Sequence, residues 1–161
     1  MWLQLDMTFR RKGGGQVYLA PPALDKLMEC RQLTPAAAEA GGVMLGRLIV
    51  GAPDIVVDEV AGPFAEDHRS RFAFFRPKRK TQQIVDKAWH SSRGTKIYVG
   101  EWHTHPEDIP HPSAEDFRSW KRICETAVFE QESLLFLIAG HVGVRIWEQP
   151  KDGDPEELIG T

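Results

Sequence analysis

Two histidines and an aspartate lie close together in this sequence, as His103-Thr104-His105 followed by Asp116. A catalytic zinc site takes three protein ligands of the nitrogen, oxygen or sulfur type and leaves the fourth tetrahedral position open. In an extended segment residues i and i+2 point to the same face, so the two imidazoles can converge without unusual backbone geometry. The sequence therefore predicts that His103, His105 and Asp116 bind one zinc ion.

The residues after His105 are predicted to form a loop that leads into a helix. Seven residues separate His105 from Ser113, and the three prolines among them disfavour regular structure. The run Ser113-Ala-Glu-Asp116 is typical of a helix start, with serine at the N-cap and an acid three positions later. Such capping pairs are common, so Ser113 and Asp116 taken alone favour a structural role, and it is their position just after HxH that favours a catalytic one.

A group that moves protons is expected upstream, in Glu39-Ala-Gly-Gly-Val-Met-Leu-Gly46, where a glutamate precedes a glycine-rich apolar strand. This glutamate, followed by HxH, seven residues, serine, two residues and aspartate, resembles the complete JAMM signature of the JAB/MPN metalloprotease family. The resemblance implies a zinc ion held by His103, His105 and Asp116. It also implies that Glu39 is the general acid/base and that Ser113 donates to the tetrahedral intermediate.

The resemblance extends to a bacterial, stand-alone branch of the family. It covers about residues 15 to 148 and includes Tyr98-Val-Gly-Glu-Trp-His-Thr-His-Pro-Glu107, Pro112, Trp120 and Arg69-Ser-Arg-Phe72. That branch includes the deconjugating isopeptidase of CBASS antiphage operons, which removes a cGAS-like nucleotidyltransferase from targets to which an E1/E2-like partner has joined it. The resemblance therefore implies an isopeptidase that cleaves after the C-terminus of a conjugated protein.

Two alternatives within the family stay open. One is a peptidase that processes a bacterial ubiquitin-like or sulfur-carrier protein. The other is a non-catalytic MPN scaffold, against which the intact ligand set argues.

A basic stretch suggests a different partner. Its cations fall within twelve residues that contain no acid, and phenylalanines are interleaved with them: Arg69, Arg71, Phe72, Phe74, Phe75, Arg76, Lys78, Arg79 and Lys80. Basic and aromatic residues together could bind nucleic acid. A solvated loop leading into a helix is the favoured interpretation, and a docking surface for an acidic protein is a third one.

Several other side chains are candidates for supporting roles. Glu101 could replace Glu39 as the base, or could orient an imidazole from the metal-facing side of its strand. His111 could be an alternative ligand or could contact a ligand, although a histidine on the surface of a loop explains it as well. Cys30 and Cys124 lie in apolar helical patterns, and we assign neither of them a catalytic role.

Composition indicates one ordinary soluble domain. The chain has 161 residues, 42% of them hydrophobic, and a net charge of −3 that implies neither an acidic nor a basic partner. We expect a catalytic domain over residues 1–148 and a mobile tail over 149–161, which is rich in Asp, Glu, Gly and Pro. The first residues lack a signal-peptide pattern and no apolar stretch reaches the roughly 20 residues of a membrane span. We therefore expect a cytoplasmic protein without a membrane partner.

Periodicity predicts a sheet of about six to eight strands and three helices. The predicted helices are Pro22 to Gln32, Lys78 to Ser91 and Ala114 to Phe129, and the predicted strands are Leu3 to Phe9, Gln16 to Leu19, Gly42 to Val50, Ile55 to Val60, Arg71 to Phe75, Lys96 to Trp102, Ser133 to Ala139 and Val142 to Glu148. The fold class is α+β, a mixed β-sheet flanked by helices. The resemblance implies the MPN/JAB, cytidine-deaminase-like version of this architecture.

Overall fold

The structure is a computed structural model that describes residues 8–64, 68–69, 74–75 and 78–161. The elements of these residues, in chain order, are β1 Thr8–Arg10, β2 Gln16–Leu19, α1 Pro21–Glu29, β3 Gly41–Leu48, β4 Ile55–Ala61, β5 His68–Arg69, β6 Phe74–Phe75, α2 Lys78–Ser91, β7 Ile97–Thr104, α3 Ala114–Thr126, β8 Ser133–Ala139, β9 Val144–Pro150, β10 Glu156–Glu157 and β11 Ile159–Gly160. Among the described residues, no helix combines the length and the apolar character needed to cross a membrane.

One large sheet dominates the fold. Its nine strands have the order β10-β9-β8-β7-β3-β4-β2-β1-β11, and β5 pairs separately with β6. Two neighbouring pairs, β2 with β4 and β7 with β8, are parallel, and the other described pairs are antiparallel. The predicted α+β class with a mixed sheet and flanking helices is confirmed.

Helices cover both faces of the sheet, as strand β8 shows. All seven of its residues are buried, which is typical of a strand with protein on both sides. Leu135 and Leu137 join the apolar cluster that includes Leu24 and Leu27 of α1. Phe136, which points to the opposite face, joins the cluster around Trp120 of α3. Helix α2 lies on the same side as α3, because Ala88 packs against Val43 and Leu45 of β3.

Some boundaries differ from those predicted. Helix α1 ends at Glu29 rather than Gln32, because the chain turns after Cys30 and buries Gln32 in polar contacts. Helix α3 ends at Thr126, where extended Ala127 lets Phe129 fold back into the cluster around Trp120. Strand β7 continues to Thr104, since its neighbours β3 and β8 pair with it as far as His103 and Thr104 respectively.

Parts of the sequence-based predictions lie outside the described residues. Only Thr8 and Phe9 of the first predicted strand, and only Phe74–Phe75 of the predicted strand at 71–75, are described. In the basic stretch the structure describes the side chains of Arg79 and Lys80 alone. The three interpretations of that stretch therefore stay predictions.

Residues 149–161, whose composition predicts mobility, are hydrogen-bonded in the sheet. Strand β9 runs to Pro150, β10 pairs with β9, and β11 pairs with β1 at the far end of the strand order. Only Leu158 separates β10 from β11. Residues 156–160 therefore join the two ends of the sheet and close it. Leu158 is 4% exposed and packs in the main core, while its backbone N–H donates to the carbonyl of Ile146 at 2.9 Å.

Replacing Leu158 by alanine should lower the free energy of unfolding by about 2 to 4 kcal/mol, because a buried leucine is lost and a cavity is left. Chemical denaturation measures this. The matched control is Ile159→Ala, since the Ile159 side chain is 68% exposed; we expect a change within about 0.5 kcal/mol. Similar losses in both variants would contradict the anchoring role of Leu158.

Candidate metal centre

The pairing of β3 with β7 brings the distant parts of the site together. The register places Gly41 opposite His103, so Glu39, just before β3, lies near the end of β7 that carries the histidines. The glycine-rich start of β3 is required by close packing, because a side chain on Gly42 would overlap the carbonyl oxygen of Ala61 on β4. Helix α3 begins with Ser113 as its N-cap and presents Asp116 to the same place.

The three predicted ligands converge. The Nε2 atoms of His103 and His105 are 3.1 Å apart. The Asp116 carboxylate lies 3.2 Å from each, with Oδ1 facing His103 and Oδ2 facing His105. A tetrahedral zinc ion bound about 2.0 to 2.1 Å from each donor needs donors about 3.3 Å apart. The spacing, and the mixture of imidazole nitrogen and carboxylate oxygen, therefore fit a zinc ion on this face.

Asp116 both caps a helix and faces the imidazoles. The backbone N–H of Ser113 donates to Asp116 Oδ2 at 2.8 Å, and the backbone N–H of Asp116 donates to Ser113 Oγ at 3.1 Å. Burial would raise the pKa of Asp116, but the contacts with His103, His105 and Ser113 hold that pKa well below its usual range. The structural and chemical interpretations of this pair are therefore compatible, because the capping box fixes a charged carboxylate toward the histidines.

Ser113 keeps a proton available. Its oxygen accepts the capping hydrogen bond, and a hydroxyl that accepts in this way can still donate its own O–H. The side chain is exposed at the start of α3, beside Asp116. Capping therefore does not prevent Ser113 from donating to a substrate oxygen.

Glu39 is a buried carboxyl next to the ligand cluster. It is 8% exposed, and burial raises its pKa above the usual value. The charges of His103 and His105 lower that pKa and the charge of Asp116 raises it, so all three act on the group electrostatically. A glutamate with a raised pKa beside a metal site suits the transfer of protons near neutral pH.

Glu107 is a site residue that the sequence reasoning missed. Its Oε1 lies 3.2 Å from Nδ1 of His105, and its Oε2 lies 3.2 Å from Nδ1 of His111. A carboxylate at Nδ1 favours the tautomer that leaves Nε2 free to bind a metal. Burial lowers the pKa of His105, but Asp116, Glu39 and Glu107 together raise it. An acid two positions after the second histidine was the available signal.

The other candidates have different surroundings. Glu101 accepts a hydrogen bond from the Tyr98 hydroxyl at 3.3 Å, and Glu107 is a carboxylate that contacts the His105 imidazole. His111 contacts Glu107 and lies outside the cluster of three convergent ligands. Burial raises the pKa of the Cys124 thiol to about 11, which fits a structural cysteine.

Comparison with known proteins relates most of the chain to one family. Residues 21–151 match the family described as prokaryotic homologs of the JAB domain. A Vibrio cholerae protein named CD-NTase/cGAS isopeptidase is 34% identical over 140 residues, which cover 87% of this chain and 86% of that protein. A protein of the same name from Escherichia coli is 32% identical over 147 residues, covering 91% and 90%.

A solved structure has the same fold. The solution structure of a Desulfitobacterium hafniense protein superimposes with a TM-score of 0.57 and 27% sequence identity, over 89% of this chain and 91% of that one.

The contact between Glu107 and His105 predicts a change in metal affinity. Glu107→Gln should weaken zinc binding by about 10-fold, because the carboxylate that orients the imidazole is lost. Competition with a chromophoric chelator measures the affinity. Glu115→Gln is the matched control, since exposed Glu115 pairs with Arg118 on α3 and should leave zinc affinity unchanged. An unchanged affinity in Glu107→Gln would refute the orienting role.

Proposed function

The chain belongs to the prokaryotic JAB-domain family, and from this premise we propose that it is a zinc-dependent isopeptidase. The observation that carries the proposal is the convergence of His103, His105 and Asp116 beside the buried carboxyl of Glu39. His103, His105 and Asp116 would hold the ion. When bound, zinc would supply a water of lowered pKa and polarise the scissile carbonyl.

The chain's own groups would move the protons. Glu39 would take a proton from the attacking water and later deliver it to the departing amine, acting first as base and then as acid. Its burial supports this role, because the raised pKa lets the carboxyl hold the proton between the two steps. The Ser113 hydroxyl, exposed at the start of α3, would donate to the oxygen that becomes negatively charged.

We propose a conjugated protein as the substrate. The relatives named CD-NTase/cGAS isopeptidase support a cGAS-like nucleotidyltransferase as part of that conjugate. We propose that it is joined through its C-terminus to an amine of a target. An E1/E2-like enzyme would make that conjugate, and this chain would reverse it during antiphage defence. We propose that the chain acts in the cytoplasm, where Cys30 and Cys124 would stay reduced.

Glu39→Gln should lower kcat for cleavage of such a conjugate by about 10²- to 10⁴-fold, because the proton carrier is lost. Zinc content should be unchanged, since Glu39 is not among the proposed ligands. His105→Ala should lose both zinc and activity. Gel analysis of a conjugate made by an E1/E2-like enzyme, with metal analysis of each protein, measures these outcomes. Full cleavage by Glu39→Gln would refute the mechanism.

Cleavage of a ubiquitin-like or sulfur-carrier fusion, with no action on the nucleotidyltransferase conjugate, would favour the alternative peptidase. A protein without zinc, whose behaviour chelators do not change, would favour the scaffold.

Ser113→Gly should lower kcat by about 10²- to 10³-fold, because one donor to the oxyanion is lost. Glycine is a tolerated N-cap, so the loss of helix stability should be only a few tenths of a kcal/mol. Ser113→Thr retains both the cap and the hydroxyl and serves as the control, with activity close to wild type. If Ser113→Gly cleaves as fast as Ser113→Thr, the hydroxyl has no part in the chemistry.

A further inference from the structure

A buried polar network lies behind the two histidines. Thr104 and Gln32 are 0% and 1% exposed. The Thr104 hydroxyl donates to Gln32 Oε1 at 2.8 Å, and the Gln32 side-chain amide donates to the carbonyl of Ala37 at 3.2 Å. These contacts join β7 to the segment that connects α1 with β3, which is the segment that carries Glu39.

The network holds Ala40, the residue next to Glu39, through both its backbone N–H and its backbone carbonyl. The backbone N–H of Ala40 donates to Thr104 Oγ1 at 2.9 Å, and the backbone N–H of Thr104 donates to the carbonyl of Ala40 at 2.9 Å. Thr104 Oγ1 thus accepts from Ala40 and donates to Gln32, which uses both capacities of one hydroxyl. Ala40 itself is fully buried, so water cannot replace either bond.

A third group anchors Gln32 from the other end of the chain. His141 Nε2 lies 3.0 Å from the Gln32 carbonyl oxygen, and a guanidinium nitrogen of Arg31 donates to the His141 carbonyl at 3.0 Å. His141 lies in the turn between β8 and β9. The segment before β3 is therefore attached to two separate parts of the sheet.

The direction of the Thr104 side chain separates this network from the metal ligands. Successive side chains of a strand alternate between faces, so Thr104 points away from the face that His103 presents. Removing the hydroxyl leaves both imidazoles and their contacts with Asp116 in place. What it removes is the acceptor of the Ala40 N–H, while the bond from the Thr104 backbone N–H to the Ala40 carbonyl remains, so the backbone next to Glu39 loses one of its two bonds to Thr104.

We propose that Thr104 and Gln32 are positioning residues for Glu39, holding its carboxyl at the ligand cluster through the backbone of Ala40. The inference rests on the proposed function, because it assigns the network to the group that moves the protons. A displacement of about 1 Å in a catalytic group can cost on the order of 10²-fold in rate, so a polar clamp one residue away is expected to matter.

The test uses Thr104→Val, which keeps the shape of the side chain and replaces its hydroxyl by a methyl group. We expect kcat for the conjugate to fall by about 10- to 100-fold, with KM and zinc affinity unchanged. Thr104→Ser restores the hydroxyl and should restore kcat. In the metal-free protein, the Ala40 amide should exchange with solvent faster in Thr104→Val than in wild type or Thr104→Ser.

The double variant with Thr104→Val and Glu39→Gln shows whether Thr104 acts through Glu39. If Thr104 acts through Glu39, Thr104→Val should lower the activity of Glu39→Gln no further, because residues that act as one unit are not additive. A further loss in the double variant would overturn the inference. So would wild-type kcat in Thr104→Val, or a loss of zinc that accompanies the loss of activity.

Gln32→Met provides the test if Thr104→Val does not fold. It keeps the bond between Ala40 and Thr104 but removes the amide that orients the hydroxyl, and we expect a smaller decrease in kcat with zinc affinity retained. Unchanged kcat in Gln32→Met would then overturn the inference. If wild type cleaves no faster than Glu39→Gln, the proposed function fails and the inference fails with it. If wild type and Thr104→Val cleave with the same kcat while Glu39→Gln is impaired, the inference alone is overturned.

Discussion

The antiparallel register between β3 and β7 is the constraint on which the site depends. It sets Gly41 opposite His103 and places the start of one strand beside the end of the other. A slip of one residue would turn both imidazoles to the opposite face of the sheet. The parallel neighbour β8 pairs with the same part of β7, so the histidine strand is held on both sides as far as Thr104. The face that carries the candidate ligands is thus built on the interior of the sheet, while Asp116 reaches it from the first turn of a helix.

Two carboxyl groups beside the same histidines have pKa values shifted in opposite directions. Burial acts on both, and in Glu39 it prevails and raises the pKa. In Asp116 hydrogen bonds from the two imidazoles and from the Ser113 amide outweigh burial, so the pKa falls. Two carboxyl groups whose pKa values are shifted apart in this way can take different roles in one reaction. One stays charged and suits a metal ligand, while the other suits the exchange of protons.

Local patterns in the sequence were sufficient for the parts of the site that are close along the chain. The spacing of His103 and His105 on a strand, and of Ser113 and Asp116 at a helix start, follows from backbone geometry alone. Glu39 came from family resemblance, because its approach to the histidines depends on strand pairing across some sixty positions. The sequence reasoning considered a supporting carboxylate only on the strand, at Glu101, whereas Glu107 contacts His105 from the loop after Pro106. Gln32 and Thr104 carry no local signal, since their contact joins residues 72 positions apart.

The part that residues 156–160 play in the sheet was missed for a related reason. Their charged residues look like those of a solvated tail, yet Glu156 and Glu157 pair with Lys12 and Arg145, and one leucine enters the core.

This closure of the sheet has a consequence during synthesis of the chain. Residues 156–160 follow every other described strand along the chain, so the edges of β1 and β9 that they pair with stay open until these residues have been synthesised. Unpaired edges invite association with other chains. A nascent chain that already contains all three candidate metal ligands therefore still exposes two strand edges, which β10 and β11 cover when they fold.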